Sequence, residues 1–221
     1  MKRLPIRSSL LLVAWVFLDA GVAWAHKPIF ADGAATDAAN AVPVNDVDVS
    51  MVTYHAATQH SPRVWIAFEG QRGKEIELQL GVPRIERLKG VRPAAAVIGP
   101  GLPQWKGEFD APAGLGGVAF GTAGGPEPTT FHEPFTGTNS WLFAKQKLVL
   151  PEAGRYYLVG YLPDRGEGKF WLAFGHKEAY GLGDWLRLPG WIAKVRRFHE
   201  VGGVPRWVWV IGALGVAVAV W

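Results

Sequence analysis

Hydrophobic positions in this 221-residue chain follow two patterns, short bursts between residues 64 and 174 and continuous runs at the two ends. Glu75-Ile76-Glu77-Leu78-Gln79-Leu80 alternates polar and apolar strictly, which predicts a strand with one wet face. Residues 64–68 are β-branched and aromatic, and Gln71-Arg72-Gly73 makes the turn between the two. Residues 94–98 form a buried strand closed by Gly99-Pro100-Gly101, and further strands are predicted at 141–143, 147–150, 155–162 and 169–174. In the third of these, Tyr156, Leu158 and Gly160 alternate with Tyr157, Val159 and Tyr161, so both faces are apolar. That is the pattern of a central strand covered on both sides. Short strands broken by Gly and Pro turns predict a mainly β chain, an antiparallel, jelly-roll-like β-sandwich.

A helical period comes late, over residues 188–200, where Pro189 suits the first turn and Trp191, Ile192, Val195 and Phe198 share a face. Lys194, Arg196 and Arg197 fill the other sides, which suits a helix lying on a membrane surface or one packed on the sandwich. Residues 204–221 are apolar except for Arg206, and at about 1.5 Å per residue they nearly cross a hydrocarbon core. Trp207 and Trp209 suit the interface at the start of such a transmembrane anchor. At the front, Lys2, Arg3 and Arg7 precede the apolar run 10–18, and Ala23-Trp24-Ala25 offers a signal-peptidase site that would leave His26 first. The expected organisation is therefore a signal peptide over 1–25, an extended arm over 26–48, a β-sandwich domain over 49–183, a juxtamembrane amphipathic helix over 184–203 and a transmembrane anchor over 204–221. This places a single-pass protein in the bacterial inner membrane with its domain facing the periplasm or cell exterior.

Composition narrows the function. Removing the leader takes 23 basic and 19 acidic residues to 20 and 18, a net charge of +2, with no like-charge block that would form a nucleic-acid footprint. With no cysteine there is neither a disulfide nor a thiolate, so stability must come from packing. Residues 110–128, crowded with Gly and Pro, predict a long loop with no element longer than 118–120 and a candidate binding rim.

Catalytic motifs are missing. Outside the leader, serine occurs only at Ser50, Ser61 and Ser140, none in a nucleophile elbow, and the glycine-rich stretch 114–121 lacks a phosphate-binding lysine. Histidine is the one residue type with chemical promise. A mature N-terminal His26 would offer an amine and an imidazole nitrogen, which suits copper, with His132 or His55 as the partner to complete the site. No other cofactor is expected. A second candidate surface comprises Trp105, His132, Glu133, Thr136, Thr138 and Trp141, where aromatic rings could stack a sugar or aromatic ligand.

The hairpin Gly154-Arg155-Tyr156-Tyr157-Leu158-Val159 and Gly168-Lys169-Phe170-Trp171-Leu172-Ala173 resembles the closing strands of bacterial pre-peptidase C-terminal-type domains. Trp65-Ile66-Ala67-Phe68, Gly73-Lys74-Glu75-Ile76-Glu77-Leu78 and Val97-Ile98-Gly99-Pro100-Gly101 resemble that family's opening strands and its strand-then-turn. The likeness spans about residues 64–175 with a large insertion. It implies an extracytoplasmic accessory β-sandwich, in that family often attached to secreted hydrolases and sometimes linked to binding polymers. Residues 131–141 and the tail 185–199 resemble parts of a group of bacterial membrane-anchored proteins of this shape. The expected function is a noncatalytic, membrane-anchored module that binds a partner protein or an envelope polymer; the alternative is a periplasmic copper-binding protein built on His26.

Overall fold

The structure, a computed structural model, describes residues 26–203 and Pro205. The expected signal peptide and, Pro205 apart, the expected anchor lie outside the described residues. Among those described, no helix is long and apolar enough to cross a membrane.

Two sheets face each other. The larger has seven strands: β1 (Lys27–Phe30), β3 (Met51–Ala57), β12 (Gly168–Phe174), β5 (Glu75–Pro83), β9 (Thr138–Leu142) and β8 (Thr129–Glu133) in that order, with β10 (Gln146–Val149) also paired to β5. The smaller has five in the order β2 (Val42–Val44), β4 (Arg63–Gly70), β11 (Gly154–Tyr161), β6 (Ala94–Gly99) and β7 (Gly116–Gly121). Their inner faces bury Ile66, Phe68, Leu78, Leu80, Val97, Leu158, Phe170 and Leu172 in one core, so stability comes from packing, as a cysteine-free chain requires.

The alternation in β5 does what its period demands: Ile76, Leu78 and Leu80 are buried while Glu77 and Gln79 on the other face stay half-exposed. The two-sided apolar strand is β11, which lies between β4 and β6 with Tyr156 to Tyr161 all buried. Its outer face needs a cover, and the chain after β6 supplies one. Trp105 packs on Phe109 with ring centroids 4.8 Å apart, and Phe109 meets Trp65 and Tyr161 edge to face.

Several expectations need correction. The sandwich is not purely antiparallel, because β1 runs parallel to β3 and β2 parallel to β4. The arm expected to be merely extended thus supplies an edge strand to each sheet. Strands β3 and β8 were not anticipated. The glycine-rich stretch holds β7, longer than residues 118–120, whose backbone pairs with β6 along its length. The helix α1 is Leu182–Phe198, so it starts ahead of the predicted residue 188 and carries Pro189 in its interior. Its entry is set by Asp184, whose carboxylate accepts the Gly181 N–H at 2.9 Å and pairs with Lys27 at 2.6 Å.

α1 rests on the outer face of the larger sheet. Ile192 and Val195 are buried, and the guanidinium of Arg196 donates to the carbonyls of Thr136 (2.6 Å), Gly202 (2.6 Å) and Gly203 (2.7 Å). At the other end, Lys169 donates to the Phe198 carbonyl at 3.0 Å, a cation placed on the negative helix terminus.

One small residue makes this outer face possible. A Cβ at Gly81 would stand 2.0 Å from Cζ2 of Trp171, whose indole lies across that position. We expect Gly81→Ala to force Trp171 aside and destabilise the fold by about 1–3 kcal/mol, measured by urea unfolding; an unchanged midpoint would show that the indole relocates freely.

Candidate functional site

Helical cover over only part of the larger sheet leaves a cavity of about 300 Å³ on its outer face. The wet side of β5 contributes Glu77 and Gln79, β12 contributes Trp171 and Ala173, and β9 contributes Thr138, Ser140 and Leu142. Phe131 and Glu133 of β8, Tyr54 of β3, Lys145, and the three histidines His26, His176 and His199 complete the wall. A smaller space of about 50 Å³ beside α1 shares His26, Tyr54 and Glu133.

Period-two alternation decides which predicted residues reach this place. Glu133 and Thr138 face the cavity, whereas their neighbours in register, His132 and Asn139, hydrogen-bond to each other at 3.0 Å in an exposed position. Trp141 is half-buried against the main core. Thr136 sits in the β8–β9 turn, where its N–H (2.6 Å) and hydroxyl (2.5 Å) both donate to Glu133, and its hydroxyl meets that of Thr138 at 2.8 Å. Trp105 covers the opposite sheet, with its indole N–H on the Phe109 carbonyl at 2.6 Å. The structure therefore splits the expected ligand surface and brings only Glu133, Thr136 and Thr138 together.

The histidines sort in the same way. His55 is buried between the sheets, its ring against Phe170 and its Nε2 3.0 Å from the Ser61 carbonyl. His26, His132 and His55 are not gathered into one site, and no group of three His, Cys, Asp or Glu among the described residues could hold a metal ion. His26 instead shares the cavity with His176 and His199. Its Nδ1 lies 2.5 Å from the Ser50 hydroxyl, and burial lowers its pKa against the opposing pull of Glu133.

His199 anchors a directed chain of hydrogen bonds. Its Nδ1 is 2.9 Å from the Val195 carbonyl, which can only accept, so Nδ1 carries the proton and Nε2 is the acceptor. The Ser140 hydroxyl, 3.1 Å away, donates to that Nε2 and itself accepts the Trp171 indole N–H at 3.0 Å. Every member of this relay is buried, and burial pushes the His199 pKa down to about 4, partly opposed by the Val195 carbonyl. Tyr54 lies beside it, ring centroids 6.0 Å apart, and burial raises the Tyr54 phenol well above its ordinary range. The hydrogen-bonded relay is thus neutral, while Glu133 brings a carboxylate to the cavity wall and Lys145 pairs with Glu77 at 2.6 Å at the edge.

Sequence reasoning missed Trp171, Tyr54, His176 and His199. The wet face of β5 was the available pointer, because whatever lies beside Glu77 and Gln79 must share their exposure.

No protein-family model matches the chain, and no curated protein matches it. Among solved structures, it is similar to the pre-peptidase C-terminal domain of a collagenase from Bacillus anthracis at 13% identity and a TM-score of 0.30, covering 61% of this chain and 93% of that one. It is also similar to CorA, a surface-associated copper-binding protein of Methylomicrobium album BG8, at 11% identity and 0.30, covering 69% of this chain and 99% of that one. A third is the secreted copper-binding protein MopE of Methylococcus capsulatus, at 14% identity and 0.25, covering 55% and 71%. Scores this low carry nothing about ligand or activity.

The buried neutral His199 makes stability depend on pH. Its unfolded-state pKa is near 6.5 and its folded value near 4, so below about 6.5 the unfolded chain takes up a proton that the folded one refuses. Stability is full above that value, and we expect it to fall by up to about 3 kcal/mol between pH 6.5 and 4. His55, also lowered by burial, acts in the same direction. Denaturant unfolding across this range should show a shallower pH slope for His199→Gln than for the parent; equal slopes would contradict the assignment.

Proposed function

We propose that this chain is a noncatalytic extracytoplasmic β-sandwich, tethered to the bacterial inner membrane by residues 204–221, that binds an envelope polymer or an extended partner segment in the outer-face cavity. The observation that carries the reading is the cavity itself. At about 300 Å³ it lies at the small end of ligand sites, room for one ring-sized group at a time. Trp171, Tyr54 and Phe131 offer ring faces or edges for stacking, and Glu77, Gln79 and Lys145 supply polar groups at the edge. Its candidate catalytic groups are already engaged: Glu133 accepts from the N–H groups of Phe135 and Thr136 and from the Thr136 hydroxyl, and Ser140 is held between Trp171 and His199.

Co-sedimentation of the purified chain with cell-wall sacculi tests the polymer reading. Phe131 is 40% exposed, so Phe131→Ala should spare the fold while weakening sedimentation several-fold, and Gln71→Ala in a distant exposed turn should change nothing. Absence of sedimentation for the parent would reject the polymer and leave a partner protein.

A second reading, copper, draws on His26 and His176, which line the same cavity. No three metal-ligating side chains converge tightly enough among the described residues, so the site would draw on the α-amine of a processed His26 as an additional nitrogen. Copper titration of the processed chain should then show stoichiometric binding that is lost when one alanine precedes His26. Equal, weak binding by both forms would reject copper.

A further inference from the structure

Packing on the sheet uses one side of α1 and leaves the other free, and the two sides differ in kind. Leu188, Ile192, Val195 and His199 recur at spacings of four and three and turn toward the sheet, half-buried or buried. Gly183, Arg187, Gly190, Lys194 and Arg197 recur at the same spacings on the opposite side, all exposed, with Leu186 beside them at 86% exposure. This stripe holds three cations and no acid. Asp184 pairs with Lys27 and also lies close enough to Arg187 to feel its charge, and Asp32 is 3.9 Å from Lys194, which also lies over the Phe30 ring. Arg187 and Arg197 have no ion pair among the described residues.

The chain that follows says what lies nearby. Arg196 grips the carbonyls of Gly202 and Gly203, and the apolar run 204–221 begins directly after them. A bilayer entered by that run stands within a few residues of the helix end, about 3.3 Å per residue. The helix is fixed to the sandwich by buried contacts, so it cannot turn its apolar side to lipid.

We propose that the exposed stripe of Arg187, Lys194 and Arg197 rests on anionic lipid headgroups and so sets the orientation of the domain on the membrane. The contact is electrostatic, with cations on flexible stems reaching the headgroups and two glycines keeping the backbone low between them. This inference rests on the tether in the proposed function but not on the cavity.

A cysteine-free chain allows a direct test. A Cβ at Gly190 meets nothing within 4 Å, and the same holds at Gly121 on the five-stranded sheet. Spin labels on Gly190→Cys, and on Gly121→Cys as a control, are read in the full chain held in nanodiscs of phosphatidylcholine alone or with phosphatidylglycerol. Expected is loss of most of the accessibility of the position-190 label to a water-soluble nickel reagent in phosphatidylglycerol discs only. The accessibility returns at high salt or in the Arg187→Glu, Lys194→Glu, Arg197→Glu variant, while the Gly121 label stays accessible throughout. The charge-reversed residues are exposed, and the salt series tests the contact without any substitution. A position-190 label that is accessible in both lipids, or shielded in both regardless of salt, overturns the proposal. A chain that stays with phosphatidylcholine discs at high salt keeps the tether even if the headgroup contact fails; a chain retained by neither lipid overturns both.

Discussion

Because Gly81 has no side chain, the indole of Trp171 can lie across the outer face of the larger sheet, and the candidate site is arranged around that ring. Its N–H fixes Ser140, Ser140 points its proton at His199, and His199 closes the chain on the Val195 carbonyl of α1. The helix is thereby held at a defined height above the sheet, and the space left beside it is the cavity. A larger residue at position 81 would lift the floor, and with it this buried polar connection between sheet and helix.

That connection is neutral by construction. An imidazole with one nitrogen committed to a carbonyl and the other to a hydroxyl gains nothing from protonation, and burial adds the cost of desolvating a charge. Charge appears instead where water can reach it, at the Lys145–Glu77 pair, around Glu200 with Arg87 and Lys169, and along the free side of α1. The geometry suits recognition by shape and stacking within the cavity and electrostatic seating outside it. The proposed ligand contact and the proposed lipid contact fall on opposite sides of the same helix.

Most of the central strands were legible because each satisfies its own period locally. β5 alternates, β11 is apolar on both faces, and Gly73 at φ +80° marks the turn before β5. The strands that went unread take their structure from partners. β1 and β2 are short, with Pro in each, and exist because β3 and β4 offer free edges for parallel pairing. β3 carries Thr53, Tyr54 and His55 in succession, a polar signature whose burial only Phe170 and the neighbouring sheet explain. β8, Thr-Thr-Phe-His-Glu, is mostly exposed and has no apolar face to announce it.

The sandwich architecture, the two-sided burial of β11, the need for a packed core without disulfides and the apolar ends could all be read along the chain, because periodicity and composition are local quantities. Of the candidate surface Trp105, His132, Glu133, Thr136, Thr138 and Trp141, the structure joins Glu133, Thr136 and Thr138, which a turn of a few residues suffices to do. Which histidines share a cavity depends on contacts between distant segments. His132 and Glu133 are adjacent in the chain yet point to opposite faces, whereas His26 and His199, at the two ends of the domain, line the same wall. Strand alternation separates neighbours and sheet pairing joins distant segments, so site membership follows register and topology, which are not local properties of the chain.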